Sequence, residues 1–128
     1  PAAACGRSLQ RGGDIQRLHV AARYSEAAVF NGVVYLAGQV PTDPSQDITG
    51  QTREVLETID RLLNEVGSDK SRILMAQIFL PDLSDYAAMN AVWDSWVVAG
   101  HAPPRATVQA QLANPAWKIE VVVTAAVR

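Results

Sequence analysis

The sequence predicts one α+β domain, a mainly antiparallel sheet of about six strands with two helices on one face. Three observations predict it. Two segments, 49–66 and 86–97, repeat apolar residues at helical spacing, while six short apolar segments carry strand-like patterns. These segments follow one another in the order β-β-β-α-β-α-β-β, with no fixed-period repeat. The chain has 128 residues, 48% hydrophobic and 19% charged, which suits a single packed core better than two. That domain is expected over residues 14–128, and residues 1–13, a mixture of Ala, Gly, Gln and Arg, read as a mobile N-terminal tail.

The first two strands are expected at 18–21 and 27–30, the second meeting Asn31-Gly32. Asn-Gly between apolar runs is a strong hairpin signal, because both residues accept the positive φ of a type I′ turn. The next strand, 33–37, is apolar throughout, which predicts burial on both faces. It ends at Gly38-Gln39, and Pro41-Thr42-Asp43-Pro44 forms a loop that cannot extend a ladder. In the first helix Val55, Ile59, Leu62 and Val66 form a stripe widened by Leu56 and Leu63, with Asp47 or Thr49 to cap it and Gly67 to end it.

A strand over 73–80 follows, with Leu74, Ala76, Ile78 and Leu80 on one face and Met75, Gln77 and Phe79 on the other. Pro81-Asp82-Leu83-Ser84 leads into the second helix, where Tyr86, Met89, Trp93, Trp96 and Val97 recur at helical spacing before Gly100 and Pro103-Pro104. The two Trp residues read as packing residues. The last strands, 105–112 and 118–127, read as a hairpin turning near Asn114-Pro115. In that register Glu120 faces Ala110 and Arg105 lies near Ala125, roughly 17 Å from Glu120 at about 3.3 Å per residue.

Two helices cover one face of such a sheet. On strand 105–112, Ala106, Val108, Ala110 and Leu112 suit the helix layer and leave Arg105, Thr107, Gln109 and Gln111 on the other side. A neutral-polar sheet face suits packing against copies of the same chain, so a homo-oligomer is expected.

Composition excludes several functions. Eleven Lys and Arg against thirteen Asp and Glu give a net charge of −2 with no basic stripe, which makes nucleic acid an improbable partner. The longest apolar run, 119–127, is too short to cross a bilayer as a helix, and no signal-peptide stretch opens the chain, so a cytoplasmic protein is expected. Cys5, His19 and His101 have no ligand spacing, and no metal site is expected. An amine base at Pro1 finds no apolar strand to lower its pKa.

Two charged residues stand out. Arg105 opens an apolar strand directly after Pro103-Pro104, and Glu120 is the one carboxylate in the run 119–127. A carboxylate in such a strand is costly to desolvate without a partner or a task. On pattern alone, a strand-edge charge reaching solvent or pairing with Lys118 is the simpler reading of Glu120. Arg105 is likewise open to being an ordinary ion-pair residue.

The run 24–32 followed by 34–41, then Gln51-Thr52, Asp85-Tyr86-Ala87-Ala88-Met89-Asn90, the segment 104–108 and Ile119-Glu120 resemble, in order and at family spacing, the RidA (YjgF) family of imine/enamine deaminases. The resemblance covers residues 18–128. It implies a chorismate-mutase-like protomer, a homotrimer whose sheets form a central barrel, and ligand clefts between subunits. It also implies hydrolysis of reactive 2-imino or 2-enamino acids to 2-keto acids and ammonia, without a cofactor. By the same resemblance Arg105 binds the substrate carboxylate and Glu120 positions water. Tyr24 lines the cleft, the Thr107 backbone amide helps hold the carboxylate, and Asn90 matches the family's helix Asn. Ala37-Gly38 occupies the place where many relatives have Ser-Gly, so a cleft hydroxyl is missing.

These roles suit the residue types. An arginine fork binds a carboxylate bidentately, and a glutamate can hold a water against an electrophilic imine carbon and take its proton. The alternative is a non-catalytic trimer that binds small metabolites or protects other proteins through the same clefts. A ribonuclease has little physical support at this charge.

Overall fold

The computed structural model describes residues 14–128. The tail expected over residues 1–13, with Pro1 and Cys5, lies outside the described residues. The sheet has six strands: β1 (Gln16–Val20), β2 (Ser25–Phe30), β3 (Val33–Leu36), β4 (Ile73–Leu80), β5 (Arg105–Gln109) and β6 (Glu120–Ala126). Helix α1 (Ile48–Glu65) connects β3 to β4, and α2 (Tyr86–Trp96) connects β4 to β5. Strand order is β1-β2-β3-β6-β4-β5, antiparallel throughout except for the parallel β4–β5 pair. This is the mainly antiparallel α+β architecture expected.

Local signals explain most elements. Asn31 and Gly32 take φ of 53° and 76°, as the β2–β3 turn requires. Asp47 caps α1 by accepting from Gly50 N at 2.9 Å, and Gly67, at φ 78°, follows its end. The apolar stripe of α1 is buried together with Met89, Val92, Trp93 and Trp96 of α2. Both helices cover the sheet face formed by Ala27, Val29, Val34, Leu36, Ala76, Ile78, Leu80, Val121, Val123 and Ala125.

Five expectations need correction. The last two strands are not a hairpin: β6 lies between β3 and β4, and β5 sits at the far edge on β4. Strand β6, none of whose residues is exposed, takes a central slot with two neighbours, and residues 110–119 carry the chain across β4. The expected pairings of Glu120 with Ala110 and Arg105 with Ala125 are therefore absent. Glu120 pairs with Phe79, and Arg105 with Ala76.

The faces of β5 are also inverted. Paired residues point the same way, so Arg105 and Thr107 share the helix-covered face of Ala76 and Ile78, and Ala106 and Val108 point outward. Tyr35 is 51% exposed, so β3 is covered on one face only. In β4 an irregularity between Ile73 and Met75 turns Ile73 inward in place of Leu74. The uncovered sheet face is therefore apolar rather than neutral-polar: Tyr35, Met75 and Val108 lie there at 42–51% exposure with half-buried Phe79 and Val122.

Candidate functional site

Arg105 stands at the start of edge strand β5, where its side chain lies against α2. Nη1 donates to Asn90 Oδ1 at 2.8 Å, and Nη2 donates to Tyr86 Oη at 3.4 Å. The guanidinium carbon lies 5.2 Å from the Trp93 ring centroid and 6.0 Å from that of Tyr86. Amide and aromatic neighbours thus orient the fork, and no carboxylate among the described residues forms an ion pair with it. Leu83, Tyr86, Arg105 and Thr107 line an open cleft of about 400 Å³. Thr107 Oγ1 is buried there without a hydrogen-bond partner.

Glu120 opens β6 on the other face of the sheet, paired with Phe79. Its position depends on two features. A Cβ on Gly38 would collide with Glu120 Oε2, so the carboxylate occupies the space that the glycine leaves. The segment leading to Glu120 is anchored by Gln51, fully buried in α1, whose Oε1 accepts from Lys118 N at 2.8 Å. Gln51 Nε2 donates to the carbonyls of Ala116, Gln46 and Pro44. Every polar atom of that side chain is satisfied, which is the condition for burying it.

The Glu120 cleft, about 560 Å³, is lined by residues that include Tyr24, Glu26, Ala37, Gly38, Arg61 and Trp117. Its loop wall is pinned to α1 by Glu54, which accepts from Thr42 N at 2.8 Å, Gln46 Nε2 at 2.8 Å and the Thr42 hydroxyl. The Thr42 hydroxyl, followed by backbone and Gln46 donors, holds the Glu54 carboxyl below its ordinary value.

The expected site residues thus divide into two groups within one chain. Arg105, Thr107 and Asn90 belong to the α2 cleft, and Glu120, Tyr24, Ala37 and Gly38 to the other. Arg105 and Glu120 point to opposite faces, three residues apart along β4 and on either side of it. That places their backbones roughly 14 Å apart at about 3.3 Å per residue and about 4.8 Å per strand. Gln51 enters the sequence reading only within the Gln51-Thr52 motif, without a role, and Glu54 does not enter it; the signal for Gln51 is a polar residue four positions before Val55 on the apolar stripe.

Comparison with known proteins fits this geometry. The model of the family described as endoribonuclease L-PSP matches residues 14–127. The chain belongs to the YjgF/RidA family. Among relatives in this family, a RutC family protein of Haemophilus ducreyi is 53% identical over 113 residues, covering 88% of this chain and 97% of the relative. RutC family protein YoaB of Escherichia coli is 50% identical, covering 88% and 98%. The crystal structure of NMB1025, a YjgF family member from Neisseria meningitidis, superposes with a TM-score of 0.89 at 47% identity, covering 92% of this chain and 98% of that one.

Proposed function

We propose that the protein hydrolyses 2-imino and 2-enamino acids to 2-keto acids and ammonia in clefts shared between subunits of a homotrimer. The observation that carries this reading is Arg105, a guanidinium oriented by Asn90, Tyr86 and Trp93 and facing a cleft without a carboxylate of its own. Such a fork suits a small carboxylate ligand. Glu120 supplies the complementary chemistry but sits in the other cleft of the same chain, so the reading joins Arg105 of one protomer to Glu120 of the next. The uncovered apolar sheet face supports assembly with further copies.

The substrate enters as an iminium with its carboxylate on Arg105 and the Thr107 amide. Glu120 takes a proton from water as the oxygen bonds to the imine carbon, and the C=N pair moves to nitrogen. The proton then passes from Glu120 to the nitrogen of the tetrahedral adduct. The C–N bond breaks, ammonia leaves, and the hydroxyl proton returns to Glu120 as the ketone forms. Ammonia finally takes up that proton, so iminium plus water yields keto acid plus ammonium. The steps use the Arg105 and Glu120 side chains, the Thr107 backbone amide and water.

The ribonuclease in the family description gains little from this chain, whose eleven Lys and Arg form no stripe. The deciding experiment generates 2-imino acids in situ with an amino acid oxidase and follows ammonia release. Release above the spontaneous rate, lost in Glu120→Gln, supports the enzyme. Binding of 2-keto acids without any acceleration would leave a metabolite-binding trimer.

A further inference from the structure

The proposed reaction gives no task to Glu26, a carboxylate that lines the Glu120 cleft. We propose that Glu26 binds the cationic nitrogen of the substrate, opposite the Glu120 carboxylate and across a floor that carries almost no side chain. This rests on the deaminase reading and assigns the nitrogen end of its substrate.

The placement follows from strand order. Glu26 lies on β2 and Glu120 on β6, with β3 and its continuation between them. Glu26 faces Ala37 across the ladder, its carbonyl accepting from Ala37 N at 2.9 Å. The floor between the two carboxylates is thus Ala37, with one methyl, and Gly38, with none. A Cβ at Gly38 would occupy the space that the Glu120 carboxylate uses.

Glu26 is also oriented from beneath. Gln39, only 5% exposed, donates from Nε2 to Glu26 Oε1 at 3.2 Å and to Ala37 O at 2.9 Å. A glutamate serving only as a solvated surface charge needs no buried amide to fix it. The cation lining the same cleft, Arg61 of α1, forms no ion pair with Glu26 or Glu120 among the described residues.

This geometry matches the charge history of the reaction. The nitrogen is cationic in the iminium, neutral when the adduct first forms, and cationic again just before it departs. A fixed carboxylate beside it favours both cationic states by Coulomb attraction. The 2-keto acid product has no such nitrogen and gains nothing from Glu26.

The test is calorimetric binding of 2-aminobutanoate, with an ammonium at that position, and of 2-oxobutanoate, without one, to the assembled wild-type protein and to Glu26→Gln and Glu26→Asp. Glu26→Gln keeps an acceptor for Gln39 and removes the charge. It should weaken 2-aminobutanoate by about tenfold, the loss of one charge-assisted hydrogen bond, and leave 2-oxobutanoate unchanged. Glu26→Asp should retain the preference. Equal weakening of both ligands, no change in either, or no wild-type binding of 2-aminobutanoate overturns the assignment. Failure of the wild type to release ammonia from imines overturns the deaminase reading instead, since the binding comparison needs no turnover.

Discussion

Arg105 is held on one side by Asn90 and stacked on Trp93, so its chemistry depends on the planar fork as much as on charge. Arg105→Lys should lower kcat/KM for imine hydrolysis by about two orders of magnitude, the loss of a bidentate pair, while the melting temperature holds. Gly38→Ala tests the other carboxylate. The added Cβ meets the far end of the flexible Glu120 side chain, which can swing away. Stability should therefore stay within about 1 kcal/mol of wild type while kcat collapses, a split readable from melting curves and initial rates. Glu54 adds a pH dependence. Its carboxyl is held below the ordinary value of 4.5, first by the Thr42 hydroxyl, so its pinning of the loop is complete above that value. The contribution is lost as pH falls through the lowered value of the folded state. Protection of the Thr42 and Asp43 amides, exchange measured relative to the intrinsic rate at each pH, should fall on acidification in wild type and be low already at neutral pH in Glu54→Ala.

At the scale of elements, the helices were the most legible part of the sequence. The stripe from Val55 to Val66, the Asp47 cap and Gly67 are all local signals, and all three appear where the pattern put them. Asp47→Ala should cost about 1 kcal/mol in denaturant unfolding without changing activity. The strands were legible in place, but in partnership only at the Asn31-Gly32 hairpin. Strand β6 inserts between β3 and β4, leaving β5 on the edge, and this separates Arg105 from Glu120 by face as well as by distance. If one working cleft takes Arg105 from one protomer and Glu120 from another, inactive Arg105→Ala and Glu120→Ala chains refolded together should regain part of the wild-type activity. Mixed assemblies that stay inactive, beside wild-type chains refolded the same way, would sink the shared cleft.

For the molecule as a whole, the governing feature is the uncovered sheet face. Tyr35, Met75 and Val108 form an apolar surface broken by Gln77, Thr124 and Glu120. The helices occupy only the opposite face, so the proposed assembly would take this surface out of water. Light scattering at micromolar concentration should give three chain masses. Val108→Asp, which places a charge on the apolar β5 edge of that face, should give one chain mass and abolish imine hydrolysis together, because separated protomers hold each half of the cleft alone. Active monomers would refute the shared cleft.

The α+β class, both helices, the cap and terminating glycine of α1, the Asn31-Gly32 turn and the family were legible in the sequence, because each rests on neighbours within a few residues or on motifs read in order. It also singled out Arg105 and Glu120 as charges in apolar strands. Which face each strand presents, and which strands touch beyond the β2–β3 hairpin, was settled by the packed sheet. Side chains alternate with period two, so a shift of one residue, like that in β4, or a wrong partner, like that of β5, reverses inside and outside. The same pairing decided that Arg105 rests on Trp93 at the helix-covered face rather than on the uncovered one, and that Gln51 reaches Lys118 and Gln39 reaches Glu26. Contacts of that kind leave no local trace, since the residues that make them come together only when the sheet closes.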